Sequence, residues 1–170
     1  MILVGIGSNL AAPRFGSPQQ TARAALAQLP AIGVAVVRCS RWYLSQPVPP
    51  SDQPWYVNAV AMVETRLGPA ALLGALLALE ARFGRRRSVA NAARTLDLDL
   101  LDYDGGRFAT KHLLLPHPRL HERRFVLAPL AEIAPEWRHP LLAITASELL
   151  RHLPPGQPIR APGDRTSPRR

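Results

Sequence analysis

Residues 94–105 read Arg94-Thr95-Leu96-Asp97-Leu98-Asp99-Leu100-Leu101-Asp102-Tyr103-Asp104-Gly105. From Leu96 to Leu100 apolar and acidic residues alternate strictly, and period two predicts a half-buried β-strand. In a strand the leucines share one face, and Asp97 and Asp99 share the other with Cβ atoms about 6–7 Å apart. Two unit charges about 5 Å apart at an effective dielectric near 20 repel by roughly 3 kcal/mol. A cation between them removes that penalty. Hard oxygen ligands on one face suit Mg²⁺, which keeps much of its water and takes phosphate oxygens alongside one or two carboxylates. Arg94 is then placed to meet a phosphate held by that metal. The competing reading is an amphipathic surface strand with solvated aspartates, and Asp-x-Asp alone does not separate the two.

The chain has 170 residues, 47% hydrophobic and 19% charged, which predicts one globular domain with a real core. Cys39 is the single cysteine, so an intrachain disulfide and a multi-cysteine metal site are excluded. A reducing cytoplasm is the expected compartment. The apolar run at residues 2–6 is too short for a signal peptide, and no run approaches the roughly 18 apolar residues of a membrane span. The net charge of +9 is carried by arginine, since Lys111 is the only lysine. Part of the excess lies at Arg160, Arg165, Arg169 and Arg170. Another part is concentrated at Arg82, Arg85, Arg86, Arg87 and Arg94. Arginines grouped beside an acidic pair resemble a triphosphate clamp more than a stripe that tracks nucleic acid.

Outward from the acidic strand, Ile2 to Ile6 read as a buried strand and Gly7-Ser8-Asn9-Leu10 as a turn. Leu10 stands where a dinucleotide fingerprint needs glycine, so a Rossmann reading is rejected. Ser17 as N-cap and Pro18 at the first helical position predict a helix to about Leu29. Residues 33–44 are β-rich, and 45–54 are too proline-rich for regular structure. Trp55 to Glu64 predicts a strand, with Tyr56, Asn58, Val60 and Met62 on one face. The Asn58 carboxamide offers both a donor and an acceptor edge, which suits a planar heterocycle carrying an amide and an amine. Pro69 opens a helix that runs to about Phe83 and is stopped by Gly84. Glu80 falls in its last turn, where the helix dipole disfavours an anion, so it needs a partner: Arg87 or a ligand. Leu113–Leu115 predicts an edge strand, and a further helix is expected from about Glu122 to Ile133. A short helix capped by Thr145 follows. From Pro154 onward the composition predicts a mobile basic tail, giving a domain at 1–153 and a tail at 154–170.

Taken in order, Gly7-Ser8-Asn9-Leu10, Asp52-Gln53-Pro54 with Tyr56 and Asn58, Arg94-Thr95-Leu96-Asp97-Leu98-Asp99, Pro116-His117, then Arg123, Phe125, Pro129-Leu130 and Glu132-Ile133-Ala134-Pro135 form a specific series. In it the chain resembles the 6-hydroxymethyl-7,8-dihydropterin pyrophosphokinase family of folate biosynthesis, from about Ile2 to Leu153. The resemblance implies an α+β fold, a ferredoxin-like βαββαβ core with an antiparallel sheet and added C-terminal elements. It implies ATP as co-substrate and two Mg²⁺ ions held by Asp97 and Asp99. Glu80, Arg85, Arg87, Arg94, His117 and Arg123 would surround the nucleotide, and Arg87 and Arg94 would act with the aspartates in catalysis. Ser45, Val48, Tyr56, Asn58 and Phe125 would hold the pterin, with Phe125 stacked on its ring. The implied enzyme is a monomer with small-molecule partners only, binding neither nucleic acid nor membrane.

Three departures from the family pattern stand out. Ala90-Asn91-Ala92-Ala93 replaces a frequent Arg-Trp-Gly-Pro in a loop one residue shorter. Leu77 stands where a glutamine often contacts the nucleotide, and Pro118 replaces a frequent tyrosine. Two rivals follow from the same features. An RNA-binding module would carry Lys/Arg-Gly-Phe/Tyr-Gly/Ala-Phe on a central strand, which is absent, and an acidic pair would repel RNA. Another metal-dependent phospho- or nucleotidyltransferase would use the same aspartates and differ in its ligands. Loss of either aspartate is expected to relieve repulsion, so folding stability should hold or rise while turnover collapses.

Overall fold

The structure is a computed structural model that describes residues 1–85 and 93–161. The first strand, β1 (Ile2–Ser8), leads to helix α1 (Pro18–Gln28), where Ser17 and Gln20 close a reciprocal capping box. Strands β2 (Val34–Cys39) and β3 (Tyr43–Ser45) then lie end to end along β4 (Tyr56–Thr65). The break between them is held by Ser40, whose N–H donates to the Val60 carbonyl and whose Oγ accepts the Val60 N–H. Helix α2 (Pro69–Arg82) ends at Gly84, whose φ of 81° only glycine adopts freely. The acidic strand is β5 (Asp97–Tyr103), followed by β6 (Phe108–Ala109) and β7 (Leu114–Leu115). Helices α3 (Arg124–Ile133) and α4 (Ala146–His152) complete the helical set. The last strand is β8 (Ile159–Arg160).

The main sheet runs β5-β1-β4-β3-β8, with β2 also on β4, and every neighbouring pair is antiparallel. It is a mixed helix and antiparallel-sheet fold. Two cores lie on its two faces, as the strand alternation requires. Ile2, Val4, Ile6, Ala61, Val63, Leu98 and Leu100 pack under α1 and α2 with Leu72, Leu76, Leu79 and Phe83. Leu3, Val60 and Leu101 face α3 and α4 with Leu127, Leu130 and Trp137. Between Leu3 and Val4 the β1–β5 register skips from Asp102 to Leu100, so Leu101 is a bulge residue. Asp102 is then buried, and its Oδ2 accepts the Trp137 indole N–H at 2.9 Å. Helix α3 is tied to the sheet through Glu132, which accepts from the Tyr43 hydroxyl at 2.7 Å and from the Arg41 N–H at 3.1 Å.

Three expectations need correction. Leu114–Leu115 pairs with Phe108–Ala109 in a separate two-stranded sheet rather than joining the main one, because it follows a hairpin turn at 110–113. The helix expected from Glu122 starts at Arg124, since 120–122 form a tight 3₁₀ turn instead. The chain beyond Pro154 is not a loose tail throughout: Ile159 and Arg160 pair with Ser45 and Leu44 of β3. An exposed strand edge needs little apolar periodicity in the strand that covers it, which is why composition misread this segment. The rest of the tail, from 162 onward, lies outside the described residues. Among the described residues no helix is long and apolar enough to cross a membrane.

Trp137→Phe removes the indole donor from buried Asp102. It should lower unfolding free energy by about 1–3 kcal/mol, the cost of a buried polar group left unsatisfied. Urea denaturation measures this, with ligand affinities staying near wild type.

Candidate functional site

The acidic face of β5 opens on a cavity of about 300 Å³ at the end of the sheet where α3 begins. Its floor comes from strand pairing. Gly7 of β1 sits between Asn58 of β4 and Asp97 of β5, and a Cβ there would stand 3.6 Å from both Asn58 Oδ1 and the Asp97 Cβ. Ser45, Val48, Tyr56, Asn58 and Phe125 all line the cavity, as do Arg94, Asp97, Asp99, His117 and Arg123. Residues separated by up to 80 positions thus converge because β1 is central and Asp97 and Asn58 lie on strands either side of it. Arg87 lies outside the described residues. A larger, mostly apolar groove of about 810 Å³ lies elsewhere, near Met1, Met62 and Leu67, and holds none of these residues.

Glu80 and Arg85 stand behind the cavity rather than at its wall. Glu80 is 1% exposed; its Oε1 accepts the Leu98 N–H at 2.6 Å and an ion pair from Arg85. The partner that its placement demands is therefore Arg85 together with a backbone amide. Burial pushes its carboxyl up to about 7, opposed by the Leu98 hydrogen bond and the Arg85 charge. Arg85 Nη1 also lies 2.7 Å from Asp97 Oδ1, and Arg94 Nη1 lies 2.5 Å from Asp97 Oδ2. Glu80, Arg85, Asp97 and Arg94 form one alternating chain of charge. Asp99 is less well served. Arg123 Nη1 is 3.7 Å from its Oδ2, and burial and the neighbouring Asp97 push its carboxyl up to about 6.

His117 is held through its backbone N–H to the Leu101 carbonyl at 2.8 Å, and its Nδ1 accepts the Arg119 N–H at 3.2 Å. Burial, helped by the Arg123 charge, pushes its pKa down to about 4. With Nδ1 accepting, the neutral ring carries its proton on Nε2 as a donor. On the opposite wall Asn58 Nδ2 donates to Ser45 Oγ at 2.9 Å and to the Tyr56 carbonyl at 3.4 Å. Asn58 is 5% exposed in a central strand, so its donor is spent on positioning and its Oδ1 is the edge turned to the floor. The Arg123 guanidinium lies 5.5 Å from the Phe125 ring.

Among the described residues no cluster of three or more His, Cys, Asp or Glu side chains makes a metal cage. The donor set does fit a hard cation that arrives with phosphates: two carboxylates share one face, and among the described residues Asp99 has no ion pair closer than 3.7 Å. Residue-by-residue reading missed the role of Asn9, which is 1% exposed. Its Oδ1 accepts the Arg94 N–H at 2.7 Å, and its Nδ2 donates to the Gln53 side chain at 3.3 Å and to the Pro54 carbonyl at 3.1 Å. The signal was present in Gly7-Ser8-Asn9 and Asp52-Gln53-Pro54, whose pairing in space no spacing rule foretells.

A sequence profile of the 7,8-dihydro-6-hydroxymethylpterin-pyrophosphokinase (HPPK) family matches residues 3–135. The chain belongs to that family. It is 40% identical over 152 residues to the 2-amino-4-hydroxy-6-hydroxymethyldihydropteridine pyrophosphokinase of Synechocystis, covering 89% of this chain and 75% of that one. The protein of the same name from Pseudomonas aeruginosa is 41% identical over 160 residues, covering 90% and 96%. The wild-type Plasmodium falciparum HPPK-DHPS crystal structure with pteroate shares the fold at a TM-score of 0.69 and 11% identity. That match covers 88% of this chain and 43% of the other. The sequence-level resemblance and this HPPK membership agree.

The two aspartates should behave differently, which narrows the expectation that losing either relieves repulsion. Asp97→Ala removes the Arg94 ion pair and one of the two made by Arg85, and should lower the melting temperature. Asp99→Asn should raise it by up to a few degrees in metal-free buffer at pH 7.5. A raised carboxyl pKa costs stability in full above about 6 and not at all below its unfolded value near 4. The advantage of Asp99→Asn should therefore close as pH falls from 6 to 4, as scanning calorimetry at stepped pH would register.

Proposed function

We propose that this HPPK member transfers the pyrophosphoryl group of ATP to the hydroxymethyl oxygen of 6-hydroxymethyl-7,8-dihydropterin, giving the pterin diphosphate and AMP in folate biosynthesis. The observation that carries this reading is one cavity in which a carboxamide–aromatic wall faces two carboxylates ringed by arginines. The alternating order β5-β1-β4-β3, with α1 and α2 as the two crossovers, supports a ferredoxin-like βαββαβ core in which β2 and β3 are one interrupted strand. The cavity is assembled within one chain, which fits a monomer acting on small molecules in the cytoplasm, without nucleic acid or membrane.

The reaction forms one O–P bond at the β-phosphorus, breaks the bond from that phosphorus to the oxygen bridging to the α-phosphate, and releases AMP and a proton. Asn58 Oδ1 takes a donor on the heterocycle's amide edge, with Ser45 holding its orientation. Phe125 stacks on the ring, and Val48 and Tyr56 complete the wall. Arg94 and Arg123 take phosphate oxygens, and His117 donates from Nε2. Arg85, braced by Glu80, sets the charge around Asp97. Arg87 takes a place among the phosphate ligands by the family pattern. Two Mg²⁺ ions held by Asp97 and Asp99 would neutralise charge on the triphosphate. Catalysis rests on placing acceptor and phosphorus together in a charge-compensated site.

Incubation with ATP, Mg²⁺ and 6-hydroxymethyl-7,8-dihydropterin should yield AMP and pterin diphosphate in equal amounts by chromatography. ADP with a pterin monophosphate would move the chain to the other phosphotransferases. Asn58→Ala should weaken pterin binding by about 1–3 kcal/mol, the range for a partner left unsatisfied. Binding of a non-hydrolysable ATP analogue should be nearly unchanged in the same calorimeter.

A further inference from the structure

Gln157 belongs to none of the motifs above, yet its carboxamide holds the chain on both sides of Arg123. Its Oε1 accepts the Arg124 N–H at 2.7 Å, and its Nε2 donates to the Glu122 carbonyl at 2.7 Å. The first N–H groups of a helix have no partner inside it, and Arg123, at the N-cap of α3, supplies none from its own side chain. Gln157 provides the acceptor from 33 residues away. The chain then runs directly to the other wall. The Pro158 carbonyl accepts the Gln46 N–H at 3.3 Å, Ile159 pairs with Ser45, and Arg160 pairs with Leu44 while its guanidinium lies 4.7 Å from the Trp55 ring.

Four consecutive residues thus join both sides of the cavity: the backbone of Glu122 and Arg124, which flanks Arg123, on one, and Ser45 with Gln46 on the other. The ties from Arg41 and Tyr43 to Glu132 also join these elements, but they sit at the far end of α3. Among the described residues the Arg123 guanidinium has no tight anchor at the cavity, standing 3.7 Å from Asp99 and 5.5 Å from the Phe125 ring. Its direction and that of Phe125 follow from the peptide planes that flank Arg123, which the Gln157 amide pins.

We propose that residues 157–160 are a strap that sets the width of the acceptor pocket, with Gln157 as the positioning residue for Arg123 and Phe125. This rests on the pyrophosphokinase reading for the identity of the acceptor. Loosening one wall acts on the pterin more than on the nucleotide, because the nucleotide loses the placing of Arg123 alone and keeps Arg94 and His117, which the strap does not touch.

Steady-state kinetics of Gln157→Ala should show the pterin KM raised about five- to tenfold, the ATP KM raised by less, no more than about threefold through Arg123, and kcat within about threefold. Gln157→Glu keeps an acceptor for the Arg124 N–H but turns a carboxylate towards the Glu122 carbonyl, so its pterin KM should fall between the two. A chain ending at Leu153 should show a larger pterin defect than one ending at Ala161. A pterin KM within twofold of wild type in Gln157→Ala, or an equal rise for both substrates, would overturn the strap. Amide exchange gives a readout independent of turnover. The Arg124 N–H should exchange at least tenfold faster in Gln157→Ala, and the Gln46 N–H should do so in the chain ending at Leu153. If the wild-type chain made no AMP with pterin, the functional reading would fall, and unchanged exchange at both amides would separately reject the strap.

Discussion

The buried carboxylate of Glu80 is the contact on which the geometry of the site depends. It sits at the last turn of α2, where a helix dipole repels an anion, and survives there because two donors meet it. One is the N–H of Leu98, on the outer edge of β5, which lies at the end of the sheet and among the described residues has no neighbouring strand on that side. The other is Arg85, just past the helix. Hydrogen bonds to a charged group are worth about 1.5–3 kcal/mol, enough to matter against the cost of burying the carboxylate. The result is mechanical as well as electrostatic: α2, the edge strand and the first arginine of the basic group are tied at one point. Asp97 is placed from there.

The second constraint is the turn after β1. Ser8, Asn9 and Leu10 link the strand end to Arg94 and Thr95 through four hydrogen bonds, two of them from the backbone N–H groups of Asn9 and Leu10 to the Arg94 carbonyl. The Asn9 side chain also reaches Gln53 and Pro54. One buried carboxamide therefore joins the arginine-lined side of the cavity to its proline-rich wall. A turn that read as a mere reversal of direction is the hinge pin between the two halves.

Charge distribution within the cavity is uneven in a way that suits its task. Asp97 is paired with two arginines, whereas among the described residues Asp99 has Arg123 at 3.7 Å as its nearest cation, and burial with the Asp97 charge raises its pKa. His117 is neutral by burial and offers a donor without adding charge. Such a site would be electrostatically completed by the phosphates and cation of the proposed reaction. That condition links its empty-state energetics to its proposed substrates.

Much of this was legible in the chain alone. Leu96 to Leu100 alternates by twos, so the faces of β5 and the pairing of Asp97 with Asp99 on one of them followed from pleat geometry. Ser17-Pro18 and Thr145 marked helix starts because capping is a local interaction between residues three apart. The family motifs carried their order with them. Other features were decided only in three dimensions. The Leu101 bulge that buries Asp102 against Trp137 depends on register with β1, and nothing local to β5 encodes it. The choice of Arg85 as partner for Glu80 depends on where the helix exit meets a sheet edge. Pro154 to Arg160 has the composition of a tail, yet it is held by an open edge on β3 and by two unpaired backbone groups beside Arg123. Local periodicity reports what a segment buries. It carries no record of the vacancies that distant parts of the fold leave for that segment to fill.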